Sequence, residues 1–203
     1  MGQRIIGLTG GIATGKSTVS DYLAQHHGLP ILDADVYARE AVAPGTDILT
    51  AIAQRYGPTL LNRDGTLNRP ALGQIIFTDP AEKHWLEQQI HPFVRRRFAE
   101  QMAELTDAPI VVQAIPLLFE ADLTGQVTEI WVVTCPATVQ QQRLMSRDRL
   151  SEDEAIARIQ NQWPLTQKVA RADTVLHNDS SLETLYEQCE QGLNKQRTEN
   201  VPP

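Results

Sequence analysis

The segment Gly10-Gly11-Ile12-Ala13-Thr14-Gly15-Lys16-Ser17 decides how the rest of the chain is read, because it satisfies the pattern G-x-x-x-x-G-K-[ST] at every defined position. Before it, Ile5-Ile6-Gly7-Leu8-Thr9 has the apolar continuity of a short buried strand. After it, Val19, Tyr22 and Leu23 fall on one face of a helix predicted over 17–25. Strand, glycine loop and helix is the order that a phosphate cradle requires. Glycines let backbone N–H groups curl around phosphate oxygens without Cβ clashes, and the helix N-terminus adds partial positive charge. Gly11, Ile12, Ala13, Thr14, Gly15, Lys16, Ser17 and Thr18 are therefore candidates for holding a nucleotide. Lys16 would reach the β- and γ-oxygens, and the Ser17 hydroxyl would ligate Mg²⁺.

With 203 residues the chain has room for one main core and is too long for a bare five-stranded minimum, so an inserted subdomain is expected. Hydrophobic residues make up 41% of it. There is no apolar run long enough for a membrane span and no signal-like N-terminal segment, so a cytoplasmic protein with no membrane partner is expected. A net charge of -7 disfavours a nucleic-acid partner, which would need a basic face. The two cysteines, Cys135 and Cys189, read as small buried hydrophobes in apolar runs. The five histidines show no metal-site spacing. Mg²⁺ arriving with the nucleotide is the only metal implied.

Further along, Ile31-Leu32 reads as a second strand whose polar end is Asp33-Ala34-Asp35. Ligands of doubly wound sheets bind outside the carboxyl ends of the strands, which makes Asp33 a candidate general base or ligand of a metal-bound water. A helix-capping role is the alternative for either carboxylate, and Asp35 is expected to be the cap. From 46 to 98 no strand pattern occurs. Ile48, Leu49, Ile52 and Tyr56, then Leu72, Ile75 and Ile76, then Leu86 and Ile90, then Phe93, Val94, Arg97 and Phe98 all have helical spacing. Gly57-Pro58, the turn Asn62-Arg63-Asp64-Gly65, Asp79-Pro80 and His91-Pro92 punctuate them, the last as a helix break. At least two of Arg95, Arg96 and Arg97 read as solvated charge, since three consecutive residues point around a helix.

Strands resume at 109–115 and 129–135, both apolar enough to be buried on two faces. Pro136 opens a helix carrying Arg143 and Arg147 on one face, and Ser151-Glu152-Asp153-Glu154 has the form of a capping box for the next. The arginine-rich stretch between these helices reads as a lid that would stabilise charge on a transferring phosphoryl group. The last strand is expected over 173–178 and the last amphipathic helix over 182–193. The nucleotide-binding core is thus expected over about 1–45 and 108–195, the helical acceptor-binding insertion over about 46–105, the lid over about 143–166, and a disordered tail over about 195–203.

Several of these stretches together resemble dephospho-coenzyme A kinases. They are the run from Gly7 to Ser17, Asp33-Ala34-Asp35 with Arg39, Asp64-Gly65 with Leu67 and Arg69, His91-Pro92, Pro116-Leu117-Leu118-Phe119-Glu120, Gln141, Arg143, Arg147, Gln162-Trp163-Pro164, Lys168, Ala172-Asp173 and Asn178. The resemblance covers nearly all of 3–190. It implies an α/β fold of the P-loop NTPase type, a five-stranded parallel sheet with helices on both faces, a helical substrate-binding insertion and a helical lid. It also implies transfer of the ATP γ-phosphate to the 3′-hydroxyl of dephospho-coenzyme A, with Asp33 as the base that accepts the hydroxyl proton and with Lys16, Arg143 and Arg147 beside the phosphoryl group. A monomer is expected. Asp33, Arg39, Arg69 and His91 would bind the acceptor, and Asn178 would lie on the adenine side.

The chain departs from that family in having Ala13-Thr14 where Gly-Ser is common, and a positive φ at Ala13 would be costly. Gln113-Ala114-Ile115 contains no carboxylate, which shifts the Mg²⁺ burden to Ser17 and the Asp33 region. A nucleoside monophosphate or nucleoside kinase shares the loop, insertion and lid. A nucleotide-dependent switch is disfavoured, since no N-K-x-D segment is present.

Overall fold

Five short apolar runs become one parallel sheet. A computed structural model describes residues 2–199, in which β1 (Arg4–Gly10), β2 (Ile31–Asp33), β3 (Ile110–Ala114), β4 (Glu129–Thr134) and β5 (Thr174–His177) lie in the order β2-β3-β1-β4-β5. Each strand predicted from apolar continuity is present, with ends shifted by a residue or so. β1 is flanked by β3 and β4, both parallel to it, with Ile6 opposite Val112 and Leu8 opposite Trp131. The glycine loop leaves the carboxyl end of this interior strand and runs into α1 (Lys16–His27).

One face of the sheet carries Ile6, Leu8, Val112, Trp131, Val133 and Leu176, which pack with Val19 and Leu23 of α1 and with Leu185 and Cys189 of α9 (Leu182–Glu199). Burial pushes the Cys189 thiol up to about 12, so it behaves as the small hydrophobe expected. α9 comes so near the sheet that a Cβ at Gly192 would lie 2.8 Å from the Trp131 ring. Arg4 fastens this corner. It pairs with Glu129, donates to the carbonyls of Gly192 and Leu193 at 2.8 Å each, and leaves Glu129 to accept from Trp131 Nε1 at 3.1 Å. α9 continues to Glu199, so the expected tail is helical from 195 to 199. Its remaining residues, 200–203, lie outside those described. Among the described residues no helix is long and apolar enough to cross a membrane.

The chain divides into two units, one formed by the residues up to Leu32 and from Leu105 onward, the other by Asp33–Glu104. Besides the sheet, the first holds α6 (Ala137–Asp148), α7 (Glu152–Gln160) and α8 (Leu165–Val169). Both hydrogen bonds of the expected Ser151–Glu154 capping box are made at the start of α7.

The second unit is wholly helical apart from one bridge between Leu61 and Leu67, and comprises α2 (Ala34–Glu40), α3 (Asp47–Tyr56), a 3₁₀ turn at Pro58–Leu60, α4 (Arg69–Thr78) and α5 (Pro80–Glu104). It begins at Asp33 and not near 46, because α2 packs on α5. Tyr37 meets Phe98 edge-on at 5.1 Å, and Arg97 donates to Glu40 at 3.1 Å with its guanidinium over the Tyr37 ring. Arg97 is therefore engaged, while the Arg96 side chain is largely exposed beside Glu100.

The break expected at His91-Pro92 does not occur, since α5 runs through it. Pro92 removes the single bond to the carbonyl four residues earlier. The helix survives because both halves are anchored: Leu86 lies in a cluster with Leu49, Ile52 and Leu72, and Phe98 lies against Tyr37.

Arg55 joins α3 to α5 by donating from Nε and Nη2 to Glu82 at 2.6 and 2.8 Å, and the Tyr56 hydroxyl donates to the same carboxylate. The Arg55 and then the Tyr56 hydrogen bonds hold the Glu82 carboxyl down at about 2, against an ordinary 4.5. A depressed folded-state pKa stabilises fully above the unfolded value and loses that stabilisation as pH falls toward the folded one. The thermal midpoint should therefore drop between about pH 4.5 and 2 in the parent, and Glu82→Gln should drop less across the same window. Parallel slopes in differential scanning calorimetry would remove Glu82 from the acid response.

Candidate active site

Between Gly10 and Lys16 the chain forms a turn closed by Thr14, whose N–H and hydroxyl both donate to the Gly11 carbonyl, at 3.2 and 2.9 Å. Ala13 adopts φ 61°, the left-handed conformation whose cost the sequence raised. For a residue bearing a Cβ this costs on the order of 1–2 kcal/mol. Gly15 adopts φ 102°, and a Cβ there would stand 2.0 Å from Asn178 Nδ2, so both conformation and space require glycine.

Gly15 is the N-cap of α1, and no side chain caps this helix. The first intrahelical bond is Val19 N–H to the Gly15 carbonyl, so the N–H groups preceding it point out of the helix start as an anion cradle. Lys16 is half-buried and Ser17 exposed in that first turn.

Side-chain amides hold this loop from outside. Asn178, buried just beyond β5, donates from Nδ2 to the Thr14 carbonyl at 2.8 Å. Gln140 of α6 donates to the Ile12 carbonyl at 2.9 Å, and Gln162, just past α7, accepts from Ile12 N–H at 2.8 Å. Gln140 was not singled out in the sequence. The signal available was its place one turn before Leu144, a polar residue on the buried face of α6.

Lys168, fully buried, pairs with Glu120 at 2.7 Å and donates to the Gly10 and Pro116 carbonyls at 3.3 Å. A buried lysine among these partners braces the carboxyl end of β1.

Of the arginines, Arg143 lies in this neighbourhood, donating to the Asn178 carbonyl at 2.9 Å. Burial pushes the nearby Cys135 thiol up despite the Arg143 charge. Arg147, one turn on, is exposed and bonded to both Asp148 oxygens at 2.8 and 3.1 Å, and Asp148 also accepts from Arg158 at 3.0 Å. The Arg147 hydrogen bond, before the charges, lowers the Asp148 pKa.

The acceptor-side candidates stand on separate elements of the helical unit. Asp33 closes β2, Arg39 is in the last turn of α2, Arg69 begins α4, and His91 lies midway along α5. His91 also lines a cleft of about 310 Å³ with His84, Glu87, Gln88, Pro92 and Arg95.

The choice of helix cap is corrected here. Asp33, not Asp35, is the N-cap of α2, accepting the Asp35 N–H at 2.7 Å. Asp33 is the last extended residue (φ -109°, ψ 117°), whereas Asp35 already lies in the first turn and its own N–H needs the cap.

A parallel sheet with an uncapped glycine loop at the end of its first strand, and Arg143 on a helix beside that loop, defines a P-loop kinase. A sequence model of the family described as "Dephospho-CoA kinase" matches residues 4–184. A protein of Synechocystis sp. named dephospho-CoA kinase is 59% identical over 186 residues, 92% of each chain. The crystal structure of TT1252 from Thermus thermophilus superposes with a TM-score of 0.80 at 36% identity over 100% of both chains. Dephospho-CoA kinase from Campylobacter jejuni does so with a TM-score of 0.71 at 28% identity over 97% of this chain and 98% of its own. The chain belongs to the dephospho-CoA kinase family, whose reaction is the ATP-dependent conversion of dephospho-coenzyme A to coenzyme A.

Proposed function

We propose that the chain transfers the γ-phosphate of ATP to the ribose 3′-hydroxyl of dephospho-coenzyme A, with Asp33 as the base. The observation that carries this is the start of α1, whose N–H groups have no side-chain cap and open from a turn held in place by Thr14, Gln140, Gln162 and Asn178. Such donors stabilise phosphate charge without reorganising during transfer. Lys16 and Arg143 add charge where it develops. Arg147 joins them when its guanidinium exchanges Asp148 for the phosphoryl group.

Asp33, at the carboxyl end of β2, takes the hydroxyl proton. Arg39, Arg69 and His91 bind the acceptor, a role suggested by their match to the family's motifs. Asn178 supports the loop through its side chain and lies on the adenine side of the nucleotide.

Among the described residues no three or more His, Cys, Asp or Glu side chains group as a metal site. Mg²⁺ keeps waters and phosphate oxygens and takes few protein ligands. Ser17, exposed in the first turn of α1, fits as the protein ligand. The bound ion supplies neutralisation of the β- and γ-phosphate charge.

The test is an acceptor panel with radiolabelled ATP, offering dephospho-coenzyme A, AMP, CMP and adenosine, with the phosphorylated position found by NMR. Transfer to dephospho-coenzyme A alone, at the 3′-oxygen, is expected. Comparable transfer to AMP or CMP would replace this reading with a nucleoside monophosphate kinase.

A further inference from the structure

We propose that Gln162 is a positioning residue that ties the C-terminal part of the lid region to the nucleotide loop and keeps Ile12-Ala13 in the shape that receives phosphate. The inference rests on the nucleotide-site reading above and concerns how that site is held.

Four consecutive peptide units of the loop are each tethered. The Gly11–Ile12 unit is held through Ile12 N–H to Gln162 Oε1 at 2.8 Å, and its Gly11 carbonyl accepts from Thr14. The Ile12–Ala13 unit is held by Gln140 at 2.9 Å, the Ala13–Thr14 unit by Thr14 N–H to Gly11, and the Thr14–Gly15 unit by Asn178 at 2.8 Å. Fixing successive peptide units fixes the torsions between them. This sequence of tethers is what Ala13 needs, because its φ of 61° is disfavoured for a residue with a Cβ and relaxes when the grip is lost.

Two of the four tethers come from the lid side, Gln140 from α6 and Gln162 from the residues after α7. Gln162 differs in how firmly its own backbone is presented. The next residue, Trp163, donates its N–H to Glu120 at 2.9 Å, stacks on Phe119 with 5.9 Å between ring centroids, and lies under the Arg171 guanidinium at 4.9 Å. Glu120 is in turn paired with buried Lys168, which reaches the Gly10 carbonyl at the start of the same loop. Gln162 is thus the side chain by which a braced segment grips the loop, and a displacement of α7 that moves Gln162 releases the Ile12 peptide. Lid position and loop shape are coupled through this amide together with that of Gln140, both of which hold Ile12.

The experiment compares ADP binding by calorimetry for the parent, Gln162→Met, Ala13→Gly and the double variant, each checked by circular dichroism. Methionine keeps the length and bulk of glutamine and removes the acceptor. Gln162→Met should weaken ADP binding about five- to tenfold, the size of one lost hydrogen bond. Ala13→Gly alone is the reference against which the double variant is read. In the Gln162→Met background, Ala13→Gly should restore most of the loss, since glycine adopts the left-handed conformation without the grip. A purely structural role for Gln162 gives no such rescue. Unchanged binding in Gln162→Met, or a double variant no better than Gln162→Met, overturns the assignment of Gln162 and leaves the nucleotide site standing. Failure of the parent chain to bind ADP overturns both.

Discussion

Asp33→Asn should lower turnover by roughly 10² or more, the usual size of a general-base contribution, while leaving the fold and ATP affinity nearly unchanged. The fold is expected to survive because Asp33 caps α2 through one oxygen, bonded to Asp35 N–H at 2.7 Å, and asparagine caps as well as aspartate. What asparagine lacks is the charge and basicity of the carboxylate, the property assigned to taking the acceptor hydroxyl proton. Asp35→Asn is the control. Asp35 lies in the first turn of α2, where its charge is worth only a few tenths of a kcal/mol to about 1 kcal/mol against the helix dipole, so activity should stay close to the parent's. Steady-state turnover with dephospho-coenzyme A decides the matter. An active Asp33→Asn enzyme beside a dead Asp35→Asn enzyme would move the base to the other carboxylate, and two active variants would remove it from this strand end altogether.

Lys16→Ala is expected to abolish most phosphoryl transfer, because it takes a positive charge from the first turn of α1, where the loop presents its N–H groups to phosphate. The loop should keep its shape in this variant, since Thr14, Gln140, Gln162 and Asn178 hold it without using the lysine side chain. The loss should therefore fall mainly on turnover, with a circular-dichroism spectrum matching the parent's. Near-normal turnover in a well-folded Lys16→Ala enzyme would remove the loop from the reaction.

Local signals in the chain specified the strand, loop and helix around 10–17, the other four strands and the Ser151–Glu154 cap. Each depends on residues close together: apolar continuity for a buried parallel strand, glycines where the backbone turns back, and a hydroxyl three residues before a carboxylate. The cost foreseen at Ala13 was legible for the same reason, since the motif dictates the backbone and the side chain follows from the residue type.

Tertiary structure decided what local pattern leaves open. Asp33 or Asp35 could each have capped α2, and the choice fell to whichever residue was still extended where β2 ended. His91-Pro92 read as a break, yet α5 passes through it because contacts on both sides of Pro92 outweigh one lost hydrogen bond. α2 joined the helical unit through Tyr37, Phe98 and Arg97, a set of contacts across 57 or more residues of chain that periodicity within any one helix does not contain. The grip on the loop is the clearest case. Gln140, Gln162 and Asn178 come from 128 to 164 residues away in sequence, and only the packing of α6, the segment after α7 and β5 around the end of β1 brings their amides to the Ile12 N–H and the Ile12 and Thr14 carbonyls. Short-range rules determined that a phosphate loop would form, and long-range packing determined what holds it in shape.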